Sequence, residues 1–304
     1  MKKMNEPFIY SISDNLDDVC FLEGELNGKY PYSHSILIKD VLIDTGISTR
    51  FLRKLKREIK IKKIILSHWH EDHISGNRIF PEVPFLCHPL DKAIIEDISK
   101  MKKYYDLIGT SFEEEFEDLM KSFRLKNISV SKDLKDGEIL NLGNGYDLEV
   151  IHTPGHTAGH CCFYELNYKF AFLADIDLSS FPFYGGVDSN LIELENSIEK
   201  IKRFDINIAI SAHKGIIKGK KKILQGIEKF ENTIKFRDKT ILNNLKEKTP
   251  INSEDLVGKN LIYKNYSEFK DYELIAERIM IEKHFQKFME HKIVEKKERG
   301  YILI

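Results

Sequence analysis

Cysteine is scarce in this chain. The four are Cys20, Cys87, Cys161 and Cys162 in 304 residues. None falls in a Cys-x-x-Cys pair, so no thioredoxin-type or zinc-ribbon spacing is encoded, and four scattered thiols make no disulfide framework. They read as reduced core thiols of a cytoplasmic protein, with Cys161 and Cys162 on opposite faces if they share a strand. Charge of one sign is missing too. The 47 Lys and Arg balance 48 Asp and Glu for a net charge of −1, and no long single-sign block occurs. No overall field therefore draws the chain to nucleic acid or to an anionic membrane. Long apolar runs are also lacking: stretches such as residues 170–174 fall far short of a bilayer span. The opening Met1-Lys2-Lys3-Met4-Asn5-Glu6-Pro7 leads into no apolar run, so no secretory signal is expected.

What is present suffices for a large core. Hydrophobic residues make up 42% and charged residues 31%, which excludes global disorder. The length suits one large α/β domain with or without a small appendage. The first half reads as short apolar strands separated by turns: 35–43, ending in Asp44-Thr45-Gly46, then 61–66, running into Ser67-His68, then 83–87. A basic helix is expected over 49–59. Between about 91 and 124 the spacing turns helical (Ile94, Ile95, Ile98, then Phe112, Phe116, Leu119, Met120, Phe123), an insertion that is either a packing appendage or a lid. Strands resume at 138–142, 146–151, 161–166 and 169–173, with hairpin signals at Gly143-Asn144-Gly145 and Asn167-Tyr168. Residues 189–204 form an amphipathic helix, 206–210 a short strand, and a long helix begins near Lys220 and runs to about Lys246. Pro250 then marks a boundary. Residues 245–304 read as a second unit of helix, helix and hairpin, a winged-helix-like order, following a first unit of 1–244.

Histidine, by contrast, is plentiful: 11 residues. Three of them, with an Asp, crowd into His68-Trp69-His70-Glu71-Asp72-His73 immediately after an apolar strand. One buried His is usually a packing residue; three at this spacing with a carboxylate offer the donor set of Zn²⁺ or another borderline first-row metal. In extended chain His68 and His70 point the same way, and a turn after them can aim Asp72 and His73 at a second metal.

His-x-His-x-Asp-His after a strand resembles the signature of the metallo-β-lactamase superfamily, and that family's other motifs follow in order. Asp44 matches the first, His156 in His152-Thr153-Pro154-Gly155-His156-Thr157-Ala158-Gly159-His160 the third, in a form similar to the glyoxalase II subgroup, Asp175 the fourth and His213 the fifth. The resemblance covers about residues 35–215. It implies a four-layer αββα sandwich and a site for two divalent metal ions, Zn²⁺ with Fe or Mn as alternatives. His68, His70 and His156 would bind the first, Asp72, His73 and His213 the second, and Asp175 would bridge them. A bridging hydroxide would be the nucleophile, and Asp72 can also hold or accept a proton. Asp44 is expected to orient a ligand histidine, and His152 and His160 to support rather than ligate. Asp177, two residues beyond Asp175, competes for the bridge, but the apolar strand before Asp175 favours the latter. The loop Ile176–Gly186 reads as a pocket wall with Tyr184 as a candidate oxyanion donor, or as plain packing.

The fold hosts many chemistries, so function rests on the site. No Cys stands at a ligand position, unlike the major class of zinc β-lactamases. His70 stands where flavodiiron members carry Glu. Only 37 residues separate Asp175 from His213, too few for the nucleic-acid domain that long nucleases of the superfamily insert there. Hydrolysis of a small ester-like substrate, a thioester, lactone or related ester, is the reading that remains first. A compact ribonuclease or phosphodiesterase is the second, against which the 12 basic and 11 acidic residues from Lys246 onward offer no phosphate-binding footprint. The third is a non-hydrolytic iron enzyme, persulfide dioxygenase-like or a di-iron oxygen sensor. No membrane partner is expected. A homo-oligomer stays open.

Overall fold

The computed structural model describes residues 6–247 and 249–304. The opening residues 1–5, part of the segment read for a secretory signal, lie outside them. Two sheets carry the fold. The first has seven strands in chain order: β1 (Ile9–Ser11), β2 (Val19–Leu22), β3 (Ser35–Ile38), β4 (Val41–Ile43), β5 (Lys63–Ile65), β6 (Phe85–Cys87) and β7 (Val130–Asp133). Its first four strands are antiparallel and β4 to β7 run parallel. The second sheet has the order β13-β12-β11-β10-β9-β8, from β8 (Ile139–Gly143), β9 (Tyr146–His152), β10 (Cys161–Glu165), β11 (Phe170–Ala174), β12 (Ile208–Ser211) and β13 (Gly215–Lys218). Here only β11 and β12 pair in parallel.

Alternation along the strands sorts the core into layers. Ile36 and Ile38 of β3 and Cys161 and Phe163 of β10 pack between the sheets, whereas Leu37 and Cys162 face outward under helices. Cys161 and Cys162 thus do lie on opposite faces, and all four cysteines are free and buried. Helices α1 (Glu25–Gly28), α2 (Thr49–Glu58), α3 (Glu71–Ile74), α4 (Pro89–Ile95), α5 (Met101–Tyr104) and α6 (Glu113–Phe123) belong to the first half, and α7 (Leu191–Ile201), α8 (Lys220–Leu242) and α9 (Lys270–Glu290) to the second. Leu52, Leu55, Ile94 and Phe116 cover the outer face of the first sheet. Ile198, Phe230, Ile234 and Phe285 cover that of the second. The expected four-layer αββα sandwich results, with a small C-terminal hairpin of β14 (Val294–Lys297) and β15 (Gly300–Leu303).

The C-terminal elements pack into this body. Phe285, Phe288, Val294 and Tyr301 join the apolar cluster under α7 and α8, while Tyr272 and Ile275 from the start of α9 lean on the cluster of the first half. β1, β2, β7 and β13 are not among the strands read from the sequence. All four are three or four residues long; β2 is wholly buried, and β7 is the polar Val-Ser-Lys-Asp, exposed along most of its length at the edge of its sheet. Such an edge strand carries little of the hydrophobic alternation that reveals a half-buried one.

Candidate metal centre

Parallel strand ends gather the motifs. β9, β11 and β12 share one direction, since β10 is antiparallel to both β9 and β11, and β4 and β5 share theirs. Asp44, His68, His156, Asp175 and His213 each follow the C-terminal end of one of these strands, so the chain delivers them to one edge of the sandwich. Close backbone approach keeps them there: a Cβ on Gly46 would collide with the carbonyl oxygen of Asp72 and with Ser33 Oγ.

Two groups of ligand atoms form. His68, His70, His156 and Asp175 make one; Asp72, His73 and His213 make the other. In the first, His156 Nε2 lies 3.2 Å from His68 Nε2 and 2.8 Å from His70 Nδ1, and His68 Nε2 lies 3.1 Å from His70 Nδ1. Asp175 stands between the groups. Its Oδ2 is 3.2 Å from His156 Nε2, and its Oδ1 is 3.0 Å from His73 Nε2 and 3.5 Å from His213 Nε2. Asp72 Oδ2 is 3.5 Å from His213 Nε2 and 3.8 Å from His73 Nε2. All seven residues selected as metal ligands from the sequence meet here.

The outer nitrogens of four of the five imidazoles are committed; that of the fifth, His70 Nε2, is buried without a hydrogen bond. His73 Nδ1 donates to Asp44 Oδ2 at 2.7 Å, His156 Nδ1 to the Phe183 carbonyl at 2.8 Å and His213 Nδ1 to the Gly28 carbonyl at 2.6 Å. Ser67 Oγ donates to Asp44 Oδ2 and so accepts from His68 Nδ1 at 2.9 Å. These partners fix the tautomers, leaving the Nε2 lone pairs of His68, His73, His156 and His213 pointing inward. The lone pairs of His68 Nε2 and His156 Nε2, 3.2 Å apart, repel one another unless a cation lies between them, and His70 Nδ1 stands 2.8–3.1 Å from both. Nitrogens about 2.0–2.1 Å from one tetrahedral cation would sit ~3.3 Å apart, close to this spacing. His73 Nε2 and Asp175 Oδ1 are buried and make no hydrogen bond. The residues therefore fit a pair of cations.

The electrostatics agree. Burial, then neighbouring imidazoles, hold His68 and His70 well below the usual imidazole range. Burial would lower His213 as well, but Asp175 and Asp72 outweigh it and push it up to about 9. The carboxylates create a field that draws protons, and by the same sign metal cations, into the centre. His160 is lowered to about 3 by burial and by His156. It is neutral and accepts the Asp175 backbone N–H on Nε2 at 3.2 Å, so it positions Asp175 without joining either ligand group, as expected. Asp177 lines the adjoining cavity but stays outside both groups.

One expectation needs correction. Tyr184 does not face the site. It is fully buried, its hydroxyl lies 2.8 Å from His284 Nε2 and accepts from Arg237 Nη1 at 3.0 Å, and it is not among the residues lining the cavity. Phe181 and Phe183, three and one residues before it, point into the cavity instead. Tyr184 faces the other side, toward α8 and α9, and cannot serve as an oxyanion donor.

Two carboxylates missed in the sequence hold the ligand loops together. Asp91 Oδ2 accepts from Trp69 N at 3.1 Å and Thr157 Oγ1 at 2.8 Å, and its Oδ1 accepts from Gly159 N at 2.7 Å. Burial, then Asp188, raises Asp91 to about 7. Asp188 Oδ2 accepts from Trp69 Nε1 and Ala158 N, both at 3.1 Å. Both link the His68–His73 segment to the loop bearing His156. No local pattern marks them, because their partners are remote in sequence.

A cavity of about 620 Å³ opens on the centre. His70, Asp72, His156, Asp175 and His213 line its floor; Phe112, Phe116 and Leu119 from the helical insertion and Tyr263, Phe269 and Tyr272 from the C-terminal segment make its walls. The insertion thus both packs on the core and roofs the site.

Comparison with known proteins agrees with this architecture. The family model of the metallo-beta-lactamase superfamily matches residues 31–213, and the chain belongs to that superfamily. It is an enzyme of the metallo-β-lactamase fold whose His and Asp clusters resemble a binuclear site. Among curated proteins it is 26% identical over 147 residues to the hydroxyacylglutathione hydrolase GloC of Haemophilus influenzae, covering 47% of this chain and 60% of that protein. It is also 26% identical over 157 residues to the human acyl-coenzyme A thioesterase MBLAC2, covering 45% and 54%. Among solved structures, a metallo-beta-lactamase family protein of Thermus thermophilus superposes with a TM-score of 0.64 at 19% identity over 94% of this chain and 93% of its own. A beta-lactamase domain protein of Burkholderia ambifaria gives 0.70 at 12% identity over 100% and 96%. Among the described residues no helix is long and apolar enough to cross a membrane.

Proposed function

We propose that this protein hydrolyses a small ester-like bond, a thioester in the first place, in the manner of the glyoxalase II-like and thioesterase branches of the superfamily, with two Zn²⁺ as its cations. The observation that carries the reading is Asp175, which turns one carboxylate oxygen to each ligand group at the floor of an aromatic-walled cavity. A cavity of about 620 Å³ suits a small molecule rather than a polymer. Cations held by His68, His70, His156, Asp72, His73 and His213, with Asp175 between them, would supply an activated water at neutral pH and polarise the scissile carbonyl. The protein's own groups do the rest. Asp72 can take the proton that the attacking water sheds and hand it to the departing thiolate or alkoxide. Phe183 and Phe116 exclude bulk water and seat the acyl chain.

The same reading assigns residues 245–304 as a small C-terminal unit, winged-helix-like in element order, that closes the cavity with Tyr263, Phe269 and Tyr272. The substrate is then a small ester and not nucleic acid. Cleavage of a chromogenic thioester by protein loaded with Zn²⁺ tests the proposal. His70→Ala is expected to abolish turnover, and unchanged turnover in that variant would contradict it.

A further inference from the structure

A second cavity of about 620 Å³ lies outside the metal centre and is lined by Arg50, Arg53, Lys54 and Arg57 of α2, by Arg78, and by Arg124 at the end of α6. Arg50, Arg53 and Arg57 recur at i, i+3 and i+7, so α2 presents them on one face. Among the described residues only one carboxylate, Glu25, shares the wall. It pairs with Arg50 at 2.8 Å, and Glu6 pairs with Lys54 at 2.8 Å. Among the described residues Arg53, Arg57, Arg78 and Arg124 have no carboxylate partner. Arg78 Nη2 donates to Thr49 Oγ1 at 3.2 Å, but its Nε is buried without any hydrogen bond. A buried guanidinium N–H left unmade beside two like charges is costly unless an anion takes it up. Burial, then Arg53 and Arg124, pulls Arg78 below its ordinary value. The amino end of α2, with Ser48 and Thr49, borders the same space and adds its positive dipole.

We propose that this basic cavity binds a small molecule carrying two or more phosphate groups. Guanidinium forks from three separate elements match phosphate oxygens in two directions at once, and the cavity's volume of about 620 Å³ and the chain's net charge of −1 favour a small ligand over a polymer. The cavity adjoins the catalytic one. Lys29 and Tyr30 line the metal-centre cavity while Pro31 and Tyr32 line the basic one. α6 contributes Phe116 and Leu119 to the first and Ser122 and Phe123 to the second. The rings of Tyr30 and Phe123 meet edge to face between them, centroids 6.4 Å apart. The occupant is therefore the phosphorylated end of a substrate or a separate phosphorylated ligand.

Titration calorimetry of the metal-loaded protein with adenosine 3′,5′-bisphosphate at low salt tests this. The wild type is expected to bind one equivalent, with affinity falling as salt rises. R57Q/R78Q is expected to bind at least about 10-fold more weakly. R124Q, at an exposed helix end, is expected to weaken binding severalfold, and it keeps the test open if R57Q/R78Q fails to fold. No binding at ~1 mM bisphosphate, equal affinity in every variant, or binding of RNA alone would overturn the proposal. Two substrates then identify the source. A bisphosphate-induced rise in KM for acetyl-coenzyme A but not for acetyl-N-acetylcysteamine makes the cavity the seat of the substrate's phosphorylated end. Binding with KM unchanged for both makes the occupant a separate ligand. The binding result stands even if neither thioester is cleaved, an outcome that would count against the thioesterase reading alone.

Discussion

Asp44 stands directly behind His73: its Oδ2 accepts the Nδ1 proton at 2.7 Å, and the far nitrogen of the same ring faces Asp175 Oδ1 at 3.0 Å. One buried carboxylate thereby aims a ligand of the second group. It does so while accepting from both the backbone N–H and the hydroxyl of Ser67, whose oxygen orients His68 in the first. Asp44→Asn offers one carbonyl oxygen to three donors. It is expected to weaken Zn²⁺ binding about 10–100-fold, as loss of such outer partners does elsewhere. Competition against a chromophoric chelator measures it, and an unchanged affinity would remove Asp44 from the centre.

Asp91 acts on the loops. Asp91→Ala leaves Trp69 N, Gly159 N and Thr157 Oγ1 without their acceptor. Stability is expected to drop by about 3 kcal/mol or more, given a cost of roughly 1–3 kcal/mol for each buried donor left unmade. Urea unfolding of metal-free protein measures this without the contribution of bound cations. Gly159→Ala should act in the same direction, since its Cβ would lie 2.5 Å from Asp91 Oδ1.

His160 ties stability to pH. Its folded-state value of about 3 lies below the ordinary 6.5, so between these values the unfolded chain binds more protons. Stability therefore rises with pH across that window, is fully present above it, and is lost as pH falls through it. At roughly pH 5 this group alone should have cost about 2 kcal/mol relative to pH 8. Unfolding at both values in wild type and His160→Gln is expected to show a smaller pH difference in the variant.

Tyr184→Phe separates a structural from a catalytic role. Removing the hydroxyl strands His284 Nε2 and leaves Arg237 Nη1 only the Pro182 carbonyl, and is expected to cost about 1–3 kcal/mol of stability. The kcat for thioester cleavage should stay within about twofold, whereas an oxyanion donor would take with it about 10²–10³.

The metal centre was legible in sequence because its chemistry is local. Four ligands fall in six consecutive residues, and the others follow strands whose apolar runs are themselves readable. Tyr184 misled because nearness to Asp175 along the chain does not set direction: in an extended loop Phe183 enters the cavity and its neighbour turns away. Asp91, Asp188 and the arginine-lined cavity escaped notice because each is made by residues far apart in the chain. Arg57, Arg78 and Arg124 carry no motif and become one site only because the fold brings α2, the turn at residues 77–79 and the end of α6 together.

The central claim is that two cations held at Asp175 do the hydrolytic work, and one titration tests it most directly. Chelator-stripped protein is given Zn²⁺ in steps while thioester cleavage is followed. Activity is expected to rise from near zero and level off at two equivalents per chain, and to stay near zero throughout in Asp175→Asn. Full activity in the stripped protein, or an Asp175→Asn titration that matches the wild type, would contradict it.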